Sequence, residues 1–399
     1  MLNKLNKQNN FSILIKLVIT NLIFQVMKLH HFLIVLFALP LFSYSQQTIN
    51  GTITHDNLQR DYIMYVPASY NSANPVPLVF CFHGYSSNAN VNFNYTNFKG
   101  IADTAGFIVV HPQGTLLQGV THWNVGGWTL GSTVDDVGFT NALIDSISSN
   151  FSINPDRIYS TGMSNGGYMS FLLACQLSKR FAAVASVTGS MTPQTYNACN
   201  PQHPTPILQI HGTADGTVPY GGNPSWTKSI DEVLQYWSSF NNCNPTPITT
   251  NMPDLNAFDG STVDYIIYSG GDNGTTAEHF KVIGGDHDWP GAFGNMDINA
   301  SIEVWKFFSK YDINGAISSS LIVSEQYSFK LYPSPTTNFL TIESNFNTNI
   351  AYQLLSIEGK LISNGVIDSG IKQIDVSTLP PSSYLLKIGN STKKFIVSK

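Results

Sequence analysis

The chain of 399 residues exceeds one ordinary domain, and its 42% apolar share is that of a packed core. Only 11% of its residues are charged, with a net charge of −5. No basic run appears, which argues against nucleic-acid phosphates as partners because such binding rests on clustered Lys and Arg.

Residues 1–45 hold four Lys and no acid and read as an export signal. Met27-Lys28 opens a short basic region, residues 31–41 form an apolar core, and Ser43-Tyr44-Ser45 offers small residues before a cleavage point. Met27 is the favoured start. The rival reading is a membrane anchor, although the apolar runs at residues 11–24 and 31–41 both fall short of the roughly 20 residues that a span needs. An exported chain can oxidise its thiols. Of Cys81, Cys175, Cys199 and Cys243, the second pair lies in loop-like sequence, so a Cys199–Cys243 bridge is expected, with four buried thiols as the alternative.

Residues 49–54 and 60–66 alternate in polarity and read as an antiparallel ribbon. The continuous apolar run Pro77-Leu78-Val79-Phe80-Cys81-Phe82, ended by His83-Gly84-Tyr85, fits a fully buried central strand. A helix over 101–105, a strand over 106–110 and a helix over 134–149 follow, the last capped by Asp135 and Asp136. A further apolar strand ends in Gly162-Met163-Ser164-Asn165-Gly166-Gly167 and passes straight into a helix. Strands over 181–187, 263–268 and 279–283, one leading from Pro206 to Asp215, and helices over 229–240 and 300–311 complete the region. This alternation predicts an α/β fold, a doubly wound and mostly parallel sheet covered on both faces.

Gly-x-Ser-x-Gly between a strand and a helix is the layout of a nucleophile elbow. A serine hydroxyl is a weak nucleophile and must stand clear of the fold beside a base. In an open α/β sheet the partners lie on loops after later strands, acid first and then His. Asp215, in His211-Gly212-Thr213-Ala214-Asp215, fills the first slot, and His287, in Gly284-Gly285-Asp286-His287-Asp288-Trp289-Pro290-Gly291, fills the second. Taken singly, Asp215 also suits an Asx-turn and His287 a surface loop; their order and placement carry the catalytic reading.

Residues 55–312 resemble the exported esterases that include polyhydroxybutyrate depolymerases, feruloyl esterases and acetylxylan esterases. The resemblance rests on Tyr65-Val66-Pro67, His83-Gly84-Tyr85, His111-Pro112-Gln113-Gly114, Asp135-Asp136-Val137-Gly138-Phe139, the Ser164 and Asp215 motifs, Val218-Pro219-Tyr220, and His287 with Trp289-Pro290-Gly291. The family has small residues where Asp286 and Asp288 flank His287. The resemblance implies an α/β-hydrolase sheet and a serine carboxylic-ester hydrolase. Its substrates would be feruloyl or acetyl esters of plant polysaccharide, or a polyhydroxyalkanoate-type polyester. Ser164, His287 and Asp215 would form the triad, with the backbone N–H groups of Tyr85 and Asn165 as the oxyanion hole. Tyr85, Trp123, Trp128 and Trp289 lie in loops where they could clamp an acyl group. No cofactor fingerprint or metal cluster is visible, so neither a cofactor nor a metal is expected. The rival functions are a serine peptidase of the same fold and a catalytically silent binding protein displayed at the surface.

Composition changes after Tyr311. Residues 314–322 read as a linker, and 323–399 as a small all-β sandwich with turns at Glu358-Gly359, Asn364-Gly365 and Gly389-Asn390. Through Leu331-Tyr332-Pro333-Ser334-Pro335-Thr336, Ile357-Glu358-Gly359-Lys360, Ile374-Asp375-Val376-Ser377-Thr378-Leu379, Tyr384-Leu385-Leu386-Lys387-Ile388 and Lys393-Lys394-Phe395 it resembles the sorting domain of the type IX secretion route. That resemblance implies secretion machinery as a partner and an extracellular or cell-surface location. A substrate-binding module is the alternative for this piece. The esterase region, residues 46–313, is expected to act as a monomer.

Overall fold

The computed structural model describes residues 46–317, 329–344, 350–357, 360–367, 370–388 and 391–398. The expected export signal, the Met27 start and linker positions 318–322 lie outside the described residues. The chain divides after Ile317 into two compact units. No helix among the described residues is long and apolar enough to cross a membrane.

In chain order the first unit contains β1 (Gln47–His55), β2 (Leu58–Val66), β3 (Val76–Phe82), α1 (Ala89–Thr96), α2 (Lys99–Ala105), β4 (Ile108–Pro112), β5 (Thr115–Leu117), β6 (Val120–His122), α3 (Asp136–Asn150) and β7 (Ile153–Met163). Then come α4 (Asn165–Gln176), β8 (Ala183–Val187), α5 (Pro193–Ala198), β9 (Ile207–Gly212), α6 (Ile230–Phe240), β10 (Ile248–Asn251), β11 (Thr262–Tyr268), β12 (Ala277–Ile283), α7 (Ala300–Phe308), β13 (Tyr311–Asp312) and β14 (Gly315–Ala316). Ten strands form one sheet in the order β1-β2-β4-β3-β7-β8-β9-β12-β11-β10. The six from β4 to β12 run parallel. Antiparallel ribbons close both edges.

The run in β3 shows why the sheet is buried on both sides. Leu78, Phe80 and Phe82 point into a cluster shared with Phe139 and Leu143 of α3, Met169 of α4 and Trp237 of α6. Val79 and Cys81 point the other way, into a cluster with Ala102 of α2 and Val304 and Phe307 of α7. Each strand residue therefore has an apolar partner layer, which is what a continuous rather than alternating apolar run requires. Helix ends follow local chemistry: Asp135 accepts from the Gly138 amide at 2.8 Å, and Ser229 with Glu232 forms a capping box at α6.

Two expectations for this unit are corrected, and one helix is new. Cys199 is bridged to Cys175, not to Cys243. Cys175 lies on the last turn of α4, and α5 brings Cys199 back beside it with the Cα atoms 4.7 Å apart. Cys243, after α6, remains a free thiol facing the Thr275 carbonyl. The final helix stops at Phe308, because Tyr311 pairs in β13. Helix α1 has no counterpart in the sequence reading: its segment Ala-Asn-Val-Asn-Phe-Asn-Tyr-Thr buries Asn92 and Thr96 beside Phe93, so no apolar period marks it.

The second unit is all-β: β15 (Phe329–Tyr332), β16 (Phe339–Ser344), β17 (Ile350–Ser356), β18 (Leu361–Ile367), β19 (Gly370–Asp375), β20 (Ser382–Ile388) and β21 (Ser391–Val397). A three-stranded sheet, β15-β16-β19, and a four-stranded sheet, β18-β17-β20-β21, share one core of Phe329, Leu340, Ile342, Leu354, Leu386 and Phe395. Asn364-Gly365 is strand interior rather than a turn, since Gly365 pairs with Tyr352 and lies under its ring. The turns at Glu358-Gly359 and Gly389-Asn390 lie outside the described residues.

Candidate active site

Parallel strands β7, β9 and β12 all point their carboxyl ends to one edge of the sheet. Ser164 follows β7, Asp215 lies beyond β9 and His287 beyond β12, so the topology collects the three at that edge. Ser164 stands between strand and helix at φ 54° and ψ −119°, a backbone state that side chains other than glycine seldom adopt. Its amide donates to the Val187 carbonyl at 2.8 Å, and its carbonyl accepts from Tyr168 at 3.0 Å. The flanking glycines make the turn possible: a Cβ at Gly166 would sit 2.1 Å from the Phe82 carbonyl oxygen, and one at Gly162 would sit 2.6 Å from the same atom. The helix can start this close to β3 only without those side chains.

Asp215 and His287 meet directly. His287 Nδ1 donates to Asp215 Oδ2 at 2.8 Å, and the other carboxylate oxygen accepts the amides of Thr217 at 2.9 Å and Val218 at 2.7 Å. The Asp215 side chain is closed off from solvent, whereas that of His287 is 18% exposed. Burial works against the charge on Asp215. The hydrogen bonds from His287 and the Val218 amide outweigh it and hold the carboxyl below the usual carboxylate range. The His287 loop is sewn to the Asp215 loop by Ala214 N to Gly285 O at 2.9 Å, Gly284 N to Thr213 Oγ1 at 2.9 Å and Gly216 N to Asp286 Oδ1 at 3.2 Å. Asp286, which breaks the pattern of small residues, is thus engaged with backbone amides, including that of His287 at 2.8 Å.

Asn165 is the first residue of α4, where amides have no intrahelical acceptor. Its side chain is occupied elsewhere: it clamps the backbone of Trp123, accepting at 2.7 Å and donating at 3.1 Å. The loop bearing Tyr85 packs against the serine, since a Cβ on Gly84 would lie 3.5 Å from Ser164 Cβ. His83 fixes that loop by donating from Nδ1 to the Gly84 carbonyl at 2.7 Å while Nε2 accepts the Gly114 amide at 2.9 Å. A planar peptide carries its C=O and N–H on opposite sides, so holding Gly84 O also sets the direction of the Tyr85 N–H. Burial pushes the His83 imidazole down to about 4, which keeps it neutral in this role.

Two of the four aromatic candidates are corrected. Trp123 is fully buried, donates from Nε1 to the His83 carbonyl at 2.8 Å and packs edge-on against Phe82. Trp289 is 1% exposed, is wedged against Tyr95 and Phe98, and donates to Ser301 Oγ at 3.1 Å. Both prop loops from beneath. Tyr85 and Trp128 differ. Tyr85 is 42% exposed, its ring meets Trp128 edge-on at 5.7 Å, and Trp128 meets Tyr168 of α4 in the same way. The Trp128 indole N–H has no partner among the described residues.

The sequence reading gave no role to His83, to His211, or to a buried pair in which Arg60 donates to Asp136 Oδ1 at 2.6 Å. Asp136 Oδ2 accepts the Asn124 amide at 2.7 Å, so this pair steadies the segment that carries Trp123 and Trp128. Arg60 gives no sequence signal beyond an unpaired cation in an otherwise alternating strand. Away from the site, His55, Asp56 and Asp135 bring ligand atoms within 4.8 Å of one another, where Asp135 already caps α3.

Residues 60–202 match the family described as esterase PHB depolymerase, and residues 330–399 match the secretion system C-terminal sorting domain. The motif resemblance therefore holds for both segments. The chain is 27% identical over 276 residues to the bifunctional acetylxylan esterase/xylanase XynS20E of Neocallimastix patriciarum, covering 69% of this chain and 36% of that protein. It is 29% identical over 198 residues to feruloyl esterase B of Piromyces equi, covering 47% and 37%. It is 30% identical over 175 residues to a probable feruloyl esterase C of Aspergillus flavus, covering 44% and 61%. The chain thus spans little more than a third of the first two relatives and under two thirds of the third.

Proposed function

We propose that the first unit is a serine carboxylic-ester hydrolase working through an acyl-enzyme. The observation that carries this reading is the 2.8 Å contact between His287 and buried Asp215, at the sheet edge where Ser164 stands in its elbow. Ser164 attacks the ester carbonyl. His287 takes the hydroxyl proton and returns it to the departing alcohol; Asp215 fixes the imidazole with Nδ1–H toward itself, so that Nε2 is the basic atom. The N–H groups of Asn165 and Tyr85 receive the oxyanion, each worth about 3 kcal/mol in comparable sites. Water then enters by the same general-base route and releases the acid. The exposed Tyr85 and its neighbour Trp128 form the wall for the acyl group, which suits a flat aromatic or a short aliphatic acid.

The matched relatives favour acetyl or feruloyl esters on plant polysaccharide, with a polyhydroxyalkanoate-type polyester as the other member of the same class. The C-terminal unit resembles a domain that secretion machinery handles, which supports export and attachment at the cell surface. The test is a panel of acetylated xylan, feruloylated arabinoxylan and poly-hydroxybutyrate, with the released acid identified. Release of acetate or ferulate supports the polysaccharide reading. Turnover of peptides alone would contradict the ester reading.

A further inference from the structure

Asp215 is held by one imidazole that the triad does not account for. His211, at the end of β9, is fully buried. Its Nε2 lies 2.8 Å from the Val218 carbonyl and 3.3 Å from Asp215 Oδ2, the same oxygen that receives His287. Its Nδ1 lies 3.1 Å from Gln209 Nε2, and that amide nitrogen also donates to the Gly189 carbonyl at 3.0 Å. These contacts fix the tautomer. Gln209 Nε2 is a donor, so His211 Nδ1 is the acceptor and the ring proton sits on Nε2, directed at Val218 O. Beside Nδ1 stand the Gln209 N–H donor and the Gly189 carbonyl, while Nε2 has the Val218 carbonyl at 2.8 Å for its proton. Burial also pushes the His211 imidazole down to about 4, in keeping with a neutral ring.

We propose that His211 is a positioning residue for the Asp215–His287 pair: its Nε2–H donates to Val218 O, and the same nitrogen lies 3.3 Å from Asp215 Oδ2 and steadies the carboxylate oxygen to which His287 is anchored. Val218 completes the clamp, since its amide holds Asp215 Oδ1 while its carbonyl takes the His211 proton. Two amides on one oxygen, and on the other the His287 donor with the His211 ring beside it, hold the carboxylate against rotation. With Asp215 fixed, His287 is fixed. This inference rests on the triad reading.

Steady-state kinetics of the full chain on 4-nitrophenyl acetate tests it. His211→Met removes the donor while filling the space, and kcat is expected to fall roughly tenfold or more with KM little changed, as when a reacting group is slightly misplaced. His211→Gln, which retains a side-chain N–H, is expected to recover much of the loss. In an Asp215→Asn background His211→Met is expected to have little further effect, because the two act as one unit. A His211→Met protein that loses thermal stability but keeps its kcat would overturn the inference. Should that variant not fold, Gln209→Met releases the tautomer and is expected to lower kcat in the same sense; an unchanged kcat there overturns the inference equally. Asp215→Asn alone separates the two readings. If it is crippled while His211→Met is normal, only the role of His211 fails; if it is normal, the triad fails and the inference with it.

Discussion

His287 donates its Nδ1 proton to Asp215 Oδ2 at 2.8 Å, across 72 residues of sequence and between the loops of two adjacent parallel strands. The acid is buried and the base partly open, the arrangement that the proposed proton shuttle needs: one partner fixed, the other open to the outside.

Replacing that acid should therefore act on chemistry and not on the fold. Asp215→Asn presents an amide where a carboxylate oriented the imidazole, and kcat is expected to drop by about 10⁴ while the Asn side chain occupies the same space. Ester hydrolysis rates, with a melting curve as control, check this. A loss under tenfold would show that Asp215 does not orient the base.

Acid should unfold the first unit early. His83 and His211 are pushed by burial down to about 4, and His111 and His279 to about 3, from an ordinary value of 6.5. All four are buried. The unfolded chain binds these protons and the folded chain does not, so stability is fully present above 6.5 and is lost as pH falls from there toward 3. The melting temperature is expected to hold between pH 7 and 8 and to fall by several degrees for each pH unit below about 6. A flat profile from pH 7 to 4 would contradict the neutral state of these rings.

The Cys175–Cys199 bridge closes a loop with a sequence separation of 24. In the chain-entropy account such a loop is worth about 3 kcal/mol, so Cys199→Ser should lower the melting temperature by roughly 5–10 °C. Cys243→Ser should not reproduce that loss, since Cys243 is a free thiol. Peptide mapping under non-reducing conditions reads the pairing directly.

Much of the architecture was legible because burial on two faces leaves a mark: a strand such as residues 76–82, apolar at every position, can only sit at the centre of a covered sheet. The placement of Ser164, Asp215 and His287 after parallel strands was legible for the same reason. What the sequence hid is contact between loops. Trp123, Trp128 and Trp289 occupy similar loop sequence, yet two are plugs with satisfied indoles and one borders exposed Tyr85. The disulfide was misassigned because a cysteine in an apolar helix reads as core, whereas Cys175 lies at the end of α4 where α5 returns. His211 and His83 were visible only as letters in motifs, because a tautomer is set by partners far away in the chain, such as Gly114 for His83.

The proposed chemistry depends on Ser164 as the nucleophile. Treating the protein with a fluorophosphonate and mapping the adduct, beside the turnover of 4-nitrophenyl acetate by Ser164→Ala, measures this directly. A single adduct on Ser164 is expected, with a fall in kcat on the order of a millionfold in the variant and its melting temperature preserved. An unlabelled Ser164, or a Ser164→Ala protein that still turns over the ester at a substantial rate, would contradict it.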